Sequence, residues 1–408
     1  MNYKLTKLAV LVAASAAFSS AVQAIEPQSI RVSDGLMFTP TLKVSERHDD
    51  NIYATKKDRK SSWVTNLEPS FALSLDRAKS AYRLKYIASR DFFHSSSRDN
   101  NTDHHLTADA GFEFNSRNRL VLNAGYHKLE DTASDTSTKD SQNDKWNTKN
   151  IGGVYTFGAR TARTQVELGA NYEELRYDNS ARVNNERLNK DKERDTKSLR
   201  ATGYYGIAPK TKALLEGRYT DFDYKSNTNR DSKNKALLAG VTWDATAKTT
   251  GSVKVGREKK TYDKSLYKDQ SMNMWEAAVA WAPRTYSTFD FKLRRGYDEG
   301  DNYYEYDSGE HVSSSIKTTA YHAGWKHQWM DRLSSNVTYT YTDRKYQNDS
   351  RVSSDRHDKI KQYGLGMTYE MRRWLDVGLG YTRRDNDSNV DSRDYKRNIY
   401  ALTFNASL

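Results

Sequence analysis

The stretch "STFDFKLRRGYDEGD" (residues 287–301) decides the fold. Phe289, Phe291 and Leu293 alternate with Asp290, Lys292 and Arg294, and the run then passes into charge. Successive side chains of a strand point to opposite faces, so this segment offers one face to hydrocarbon and the other to water. The same two-sidedness recurs along the chain. Tyr82, Leu84 and Tyr86 alternate with Arg83 and Lys85; Val166, Leu168, Ala170 and Tyr172 alternate with Glu167 and Glu173; Leu215, Gly217 and Tyr219 alternate with Glu216 and Arg218. The final segment, "YALTFNASL" (400–408), continues it through Tyr400, Leu402, Phe404, Ala406 and Leu408.

Composition narrows where such strands can live. Of 408 residues, 36% are hydrophobic and 29% charged, a balance too polar for several ordinary buried cores. The 28 Tyr, 12 Phe and 8 Trp nevertheless exceed what a disordered chain carries, so the aromatics need an ordered setting. There is no cysteine, which excludes disulfides, thiolate metal sites and cysteine nucleophiles together. At the start, Lys4 and Lys7 precede the apolar run "LAVLVAASAAF" (8–18), and Val22 and Ala24 supply small side chains before a cleavage point. This pattern predicts a secretory signal peptide over residues 1–24 and a single mature domain over 25–408. The apolar run is shorter than a membrane-spanning helix needs, which speaks against an anchor.

The mature chain repeats one plan: an alternating segment of about ten residues, a short turn, a second alternating segment, then a longer polar stretch. The short turns are "DRAKS" (76–80), "NSRN" (115–118), "GART" (158–161), "APKT" (208–211), "ATAKT" (245–249), "APRT" (282–285), "WMDR" (329–332) and "MRR" (371–373). Most contain Pro, Gly, Asn or Asp, residues that favour turns. Between them lie stretches such as "DTASDTSTKDSQND" (131–144), "NSARVNNERLNKDKERD" (179–195), "EGDNYYEYDSGEH" (299–311) and "RDNDSNVDSR" (384–393). Eight short turns and nine long loops join eighteen strands. An even strand number with short periplasmic turns and long extracellular loops is the plan of an all-β, antiparallel up-and-down transmembrane barrel in a Gram-negative outer membrane. A propeller would share the repeat of about forty residues, but its blades stack on apolar interiors that these hairpins lack.

In a barrel the apolar residues face lipid and the charged ones the lumen. Phe289, Phe291, Leu293, Leu402 and Phe404 are the lipid-facing candidates. Glu68, Arg83, Lys85, Glu167, Glu216, Arg218, Lys254, Lys292, Arg294 and Asp376 are the candidates for the lumen. A slip of one residue would exchange the faces and place Lys292 and Arg294 in lipid, at roughly 2–4 kcal/mol each near the midplane. Trp243, Trp281, Trp329 and Trp374 stand beside short turns, and Tyr126, Tyr177, Tyr219, Tyr224, Tyr262 and Tyr341 towards the long loops. Two girdles at the membrane interfaces are the expected result, since indole and phenol are apolar with one polar tip.

No Walker loop, dinucleotide fingerprint, HExxH or G-x-S-x-G elbow is present, and no acid/base or Ser/His group stands out for catalysis. The sequence thus predicts neither a catalytic nor a metal site and no cofactor. His104 and His105 are adjacent and would point to opposite faces of a strand. "DNDSNVD" (385–391) resembles the start of a calcium loop but has Val390 where the glycine belongs and Lys396 where the distal Glu belongs. The basic balance suits an anionic partner, though an exported barrel is an unsuitable binder of nucleic acid.

The stretch "MFTPTLKVSERHDDNIYATKKDRKSSWVTNLEPSFALSL" (37–75), with "VSERHDDNIY" (44–53) and "WVTNLEPSFAL" (63–73), resembles the opening hairpin of the putative β-barrel porin type 2 family. That family is associated with capsule and exopolysaccharide gene clusters, and the resemblance implies an outer-membrane conduit passing a polysaccharide to the cell surface. It implies as well a periplasmic polysaccharide-export partner lacking its own outer-membrane segment. The C-terminal strand would be read by the barrel-assembly machinery, and Leu408 stands where an aromatic is common. A general or anion-preferring porin for small solutes, and a surface adhesion protein using its long loops, are the rival expectations.

Overall fold

A computed structural model describes residues 29–407 apart from 133–142, 179–181, 184–185, 188, 247, 301, 306–308 and 349–355. The signal-peptide expectation, Leu408 and most of "DTASDTSTKDSQND" therefore lie outside the described residues. Eighteen long strands form one closed antiparallel barrel. They are β1 (Leu36–Asp49), β2 (Ser62–Asp76), β3 (Ser80–Phe93), β4 (Asn101–Asn115), β5 (Asn118–Glu130) and β6 (Lys145–Phe157). These are followed by β7 (Thr164–Tyr177), β8 (Arg194–Ala208), β9 (Thr211–Tyr224), β10 (Ser232–Thr246), β11 (Thr249–Tyr262) and β12 (Gln270–Arg284). The remaining six are β13 (Ser287–Glu299), β14 (Gly309–Met330), β15 (Leu333–Asn348), β16 (His357–Arg372), β17 (Leu375–Ser388) and β18 (Tyr395–Ser407). Each pairs with its sequence neighbours, and β18 returns to β1 in a register running from Thr41 opposite Ser407 to Asp49 opposite Ile399. Closure leaves no barrel strand with an unpaired edge, the condition for crossing lipid with strands.

All eight predicted turns are found at one end of the barrel. The connections are as short as the two residues between β8 and β9 or between β14 and β15. Boundaries move by a few residues: β12 continues through the Pro283 of "APRT" to Arg284, and the turn after Gly158 extends to residue 163. Gly158 adopts φ +112°, and a Cβ there would lie 2.8 Å from the Thr164 carbonyl oxygen, so glycine fits this turn where an L side chain is strained. At the other end, "RDNDSNVDSR" proves to be strand as far as Ser388, with only its second half in the loop.

The loop ends share a device. The last backbone N–H of a rising strand donates to a side-chain oxygen in the loop: Phe93 to Asn100 at 2.7 Å, Tyr224 to Asp231 at 2.7 Å, Tyr262 to Asp269 at 3.2 Å. In each pair the acceptor follows seven residues after the donor, so Asx side chains close hairpins whose backbone ladder has already ended. A short strand, Ile30–Ser33, pairs with the beginning of β1 on the side that β18 is too short to reach.

Candidate functional site

The cross-strand register decides which side chains share a face, because residues directly opposite in an antiparallel pair point the same way. Contacts between strands that are not neighbours then identify the concave face, where side chains converge instead of splaying. Arg218 on β9 reaches Glu276 on β12 in a two-pronged pair, with Nη1 to Oε1 at 2.6 Å and Nη2 to Oε2 at 2.8 Å. Lys254 on β11 lies 3.4 Å from Glu216 on β9, and Arg47 on β1 pairs with Asp91 on β3.

The ten candidate lumen residues all register with this face. Glu167, Thr202 and Glu216 form one row across β7, β8 and β9. Lys254, Glu276 and Arg294 form another across β11, β12 and β13, with Lys292 two residues from Arg294. A third row runs through Asp376, Asn405, Lys43 and Glu68 over the barrel seam. Arg83 and Lys85 stand opposite Ser74 and Ala72, which share the parity of Glu68. The lipid-facing candidates take the other parity. Phe291, Leu293, Leu402 and Phe404 are exposed on the convex side, while Phe289 is stacked between Trp281 and Trp325.

One part of the wall is a closed set of charges. Arg218 donates through Nε to Glu216 at 2.5 Å while clamping Glu276; Lys254 Nζ lies 2.7 Å from Glu276, and Thr202 Oγ1 donates to Glu216 at 3.1 Å. Two acids and two bases thus neutralise one another, in the bidentate geometry that makes an Arg–carboxylate pair directional. Glycine makes the span possible. Gly240 and Gly256 lie between these side chains on the inner faces of β10 and β11, keeping the wall low enough for Arg218 and Lys254 to lean across. A Cβ on Gly240 would fall 2.1 Å from the Val253 carbonyl oxygen, and one on Gly256 2.0 Å from that of Leu237. Glu276, which completes the set, escaped the sequence reading because "MWEAAVAW" gives it the appearance of a lone acid in an apolar run.

The seam side differs. A hollow of about 380 Å³ is lined by Ser45, Glu68, Ser70, Lys85, Gly364 and Thr403 among others, small polar side chains and glycines mixed with aliphatic ones. Lys43 lies 3.5 Å from Glu68 there, whereas Arg83 and Lys85 form no ion pair among the described residues. Asp376, at the turn end of the same row, is 1% exposed and belongs to the wall more than to open water.

The aromatic girdle needs a correction. Trp281 and Trp329 are exposed on the convex face beside short turns, Trp374 is exposed within a turn, and Tyr126 lies outside near the loops. Tyr224 and Tyr262 instead point inward and are buried, and Tyr177 has the same inward parity. Tyr224 lies five residues beyond the outward Tyr219, and an odd step on a strand changes face. These inward rings carry a second cluster at the loop end. Arg230 stacks over Tyr224 at 4.5 Å, Lys260 over Phe222 at 4.5 Å, and Glu299 accepts from both Lys260 and the Tyr224 hydroxyl. Of the two adjacent histidines, His104 pairs with the Tyr86 hydroxyl at 2.8 Å, and His105 turns inward to His127 at 2.9 Å. Among the described residues no group of three or more His, Asp or Glu is placed to hold a metal ion. Asp385 of the calcium-like stretch binds Arg383, and Asp391 binds Lys56.

The family described as "Putative beta-barrel porin 2" matches residues 23–407. No curated protein sequence matches the chain. Among solved structures, the FrpB iron transporter of Neisseria meningitidis aligns with a TM-score of 0.52 and 11% identity, over 91% of this chain and 81% of that one. The outer membrane protein OpdK of Pseudomonas aeruginosa aligns at 0.47 and 11%, over 91% and 99%, and its siderophore receptor PirA at 0.45 and 12%, over 93% and 81%. At these identities the likeness is one of fold. The eighteen-stranded barrel is an outer-membrane protein.

Proposed function

The chain belongs to the putative β-barrel porin 2 family, and from that premise we propose that it is the outer-membrane conduit for an exopolysaccharide or capsular polysaccharide. A barrel transport or porin role is the common ground of its family. The observation that favours a polymer is the wall formed by Arg218, Glu276, Lys254 and Glu216, whose charges are spent on one another. A hydrated chain sliding past such a wall can exchange hydrogen bonds at many points without meeting one strong fixed charge that would hold it, and weak repeated contacts favour passage. Eighteen strands enclose an aqueous space rather than a side-chain-filled core, which gives the polymer room. A periplasmic polysaccharide-export protein would meet the short-turn end, and the barrel-assembly machinery would act on β18.

A second reading has its own support. Arg83 and Lys85, without ion pairs on the seam side, suit an anion-preferring porin for small solutes. One comparison separates the two: surface and secreted polysaccharide, and small-solute uptake, in a strain lacking the gene and in its complemented derivative. The conduit requires polymer to be lost and restored with uptake unchanged. Normal polymer with impaired uptake overturns it and leaves the porin.

A further inference from the structure

The convex face carries cations where charge is unexpected. On β10 and β11, Lys235 and Lys259 stand directly opposite each other, and Arg257 is two residues from Lys259 on the same side. Their register partners and same-face neighbours fix the orientation: Leu237 opposite Arg257, Ala239 opposite Val255, and Tyr219 opposite Lys235. Leu237 and Val255 are 60% and 58% exposed, so this is the lipid-facing wall. Lys235, Arg257 and Lys259 are exposed as well: towards the long-loop end, Lys235 lies two residues beyond Leu237, and Arg257 and Lys259 lie two and four beyond Val255. They stand level with the outward tyrosine, at the height of the outer-leaflet headgroups.

Like charges directly opposite on a sheet repel, and local acids compensate only in part. Lys259 Nζ lies 3.3 Å from Asp269, and Asp263 is taken by Lys233 at 2.6 Å. Arg257 Nη2 donates to the Ser271 hydroxyl at 3.1 Å, and neither Arg257 nor Lys235 has an ion pair among the described residues. Beside them Arg295 lies over the Trp275 ring at 5.8 Å, closing the far edge of the patch. Three cations on two adjacent strands, with exposed Leu237 level with Arg257 and exposed Val255 below it, complement an amphiphile with an anionic head and acyl chains on the midplane side.

We propose that Lys235, Arg257 and Lys259 form a docking site for the phosphorylated headgroup of an outer-leaflet glycolipid, whose acyl chains lie along Leu237 and Val255. Arg257 supplies a planar fork for two phosphate oxygens and the lysines supply point charges on either side. The phosphate takes the place of the missing carboxylates and removes the repulsion between Lys235 and Lys259. This site lies outside the lumen and does not depend on what the lumen carries.

The test uses the full barrel purified in non-ionic detergent, with closure checked by its resistance to unfolding in SDS before boiling. Three probes are titrated: a diphosphorylated glycolipid, the same glycolipid stripped of phosphate, and inorganic phosphate alone. The wild type is expected to prefer the phosphorylated glycolipid over both others. The triple variant K235Q/R257Q/K259Q should weaken that binding by roughly a hundredfold at low salt, a tenfold step being 1.4 kcal/mol. Lys361→Gln, on the convex face of β16, should leave it unchanged. If the triple variant does not close, Lys235→Gln alone decides: thermal stability should rise without lipid, as the repulsion is relieved, and gain less than the wild type when lipid is added. Equal binding by wild type and variant, equal binding of the stripped lipid, or inorganic phosphate binding as tightly as the lipid overturns the proposal.

Discussion

Glu276 is the residue on which the paired wall depends. It accepts both prongs of Arg218 and the Lys254 ammonium, so Glu276→Gln leaves two cations sharing Glu216. Its side chain is 23% exposed, and water would soften the loss to about 1–3 kcal/mol, below that of a fully buried pair. The same substitution adds one net positive charge to the lumen wall. In planar bilayers under a KCl gradient, the reversal potential of E276Q should therefore move towards that of chloride; an unchanged potential would place the network away from the conducting path. Tyr224 and Tyr262 carry a related lesson at this scale. Parity counted from Tyr219 turns Tyr224 inward although it lies near a loop, because the face of a strand residue follows its parity and not its distance from the loop.

At the scale of elements, the two faces of one strand should answer mutation differently. Leu293→Arg on β13 puts a charge in lipid and is expected to cost roughly 2–4 kcal/mol near the midplane. Thr403→Arg enters the hollow on the concave side of β18 and should stay within about 1 kcal/mol. Urea unfolding in lipid vesicles measures both, and equal costs would contradict the assigned register. The loops are tied by their own contacts: Lys56 of the first loop lies 2.9 Å from both Asp391 and Asp394 of the last. The ammonium lowers the Asp391 pKa below its ordinary 3.8, and the two carboxylates raise that of Lys56 above 10.5. A lowered carboxylate contributes above its ordinary value and loses its effect as pH falls through the lowered one; a raised lysine contributes below 10.5 and is lost as pH rises past the raised value. The hydrogen-exchange protection of residues 50–61, taken relative to the intrinsic amide rate at each pH, should thus be flat across neutral pH and fall only below about pH 4 or in strong alkali. A loss of protection near pH 6 would show that another group holds the loop.

The whole molecule is held by closure. Removing residues 395–408 deletes β18 and exposes one edge of β1 and one of β17, which lipid cannot satisfy. That truncation should yield no SDS-resistant, heat-modifiable species, and a closed barrel of seventeen strands would refute the pairing. The chain alone specifies the fold class, the eighteen strands and the eight turns, because alternation and turn chemistry are local and a one-residue slip is heavily penalised. It determined strand ends less well, as at Arg284 and Ser388, since a ladder can continue through polar residues when a neighbour supplies partners. Only the tertiary structure decided which charges meet. Arg218 and Glu276 are 58 residues and three strands apart, and Lys235 and Lys259 belong to different strands whose opposition depends on register. Such contacts arise from the curvature of a closed sheet, which brings distant concave residues together and sets convex ones against lipid, and no local pattern in the chain records it.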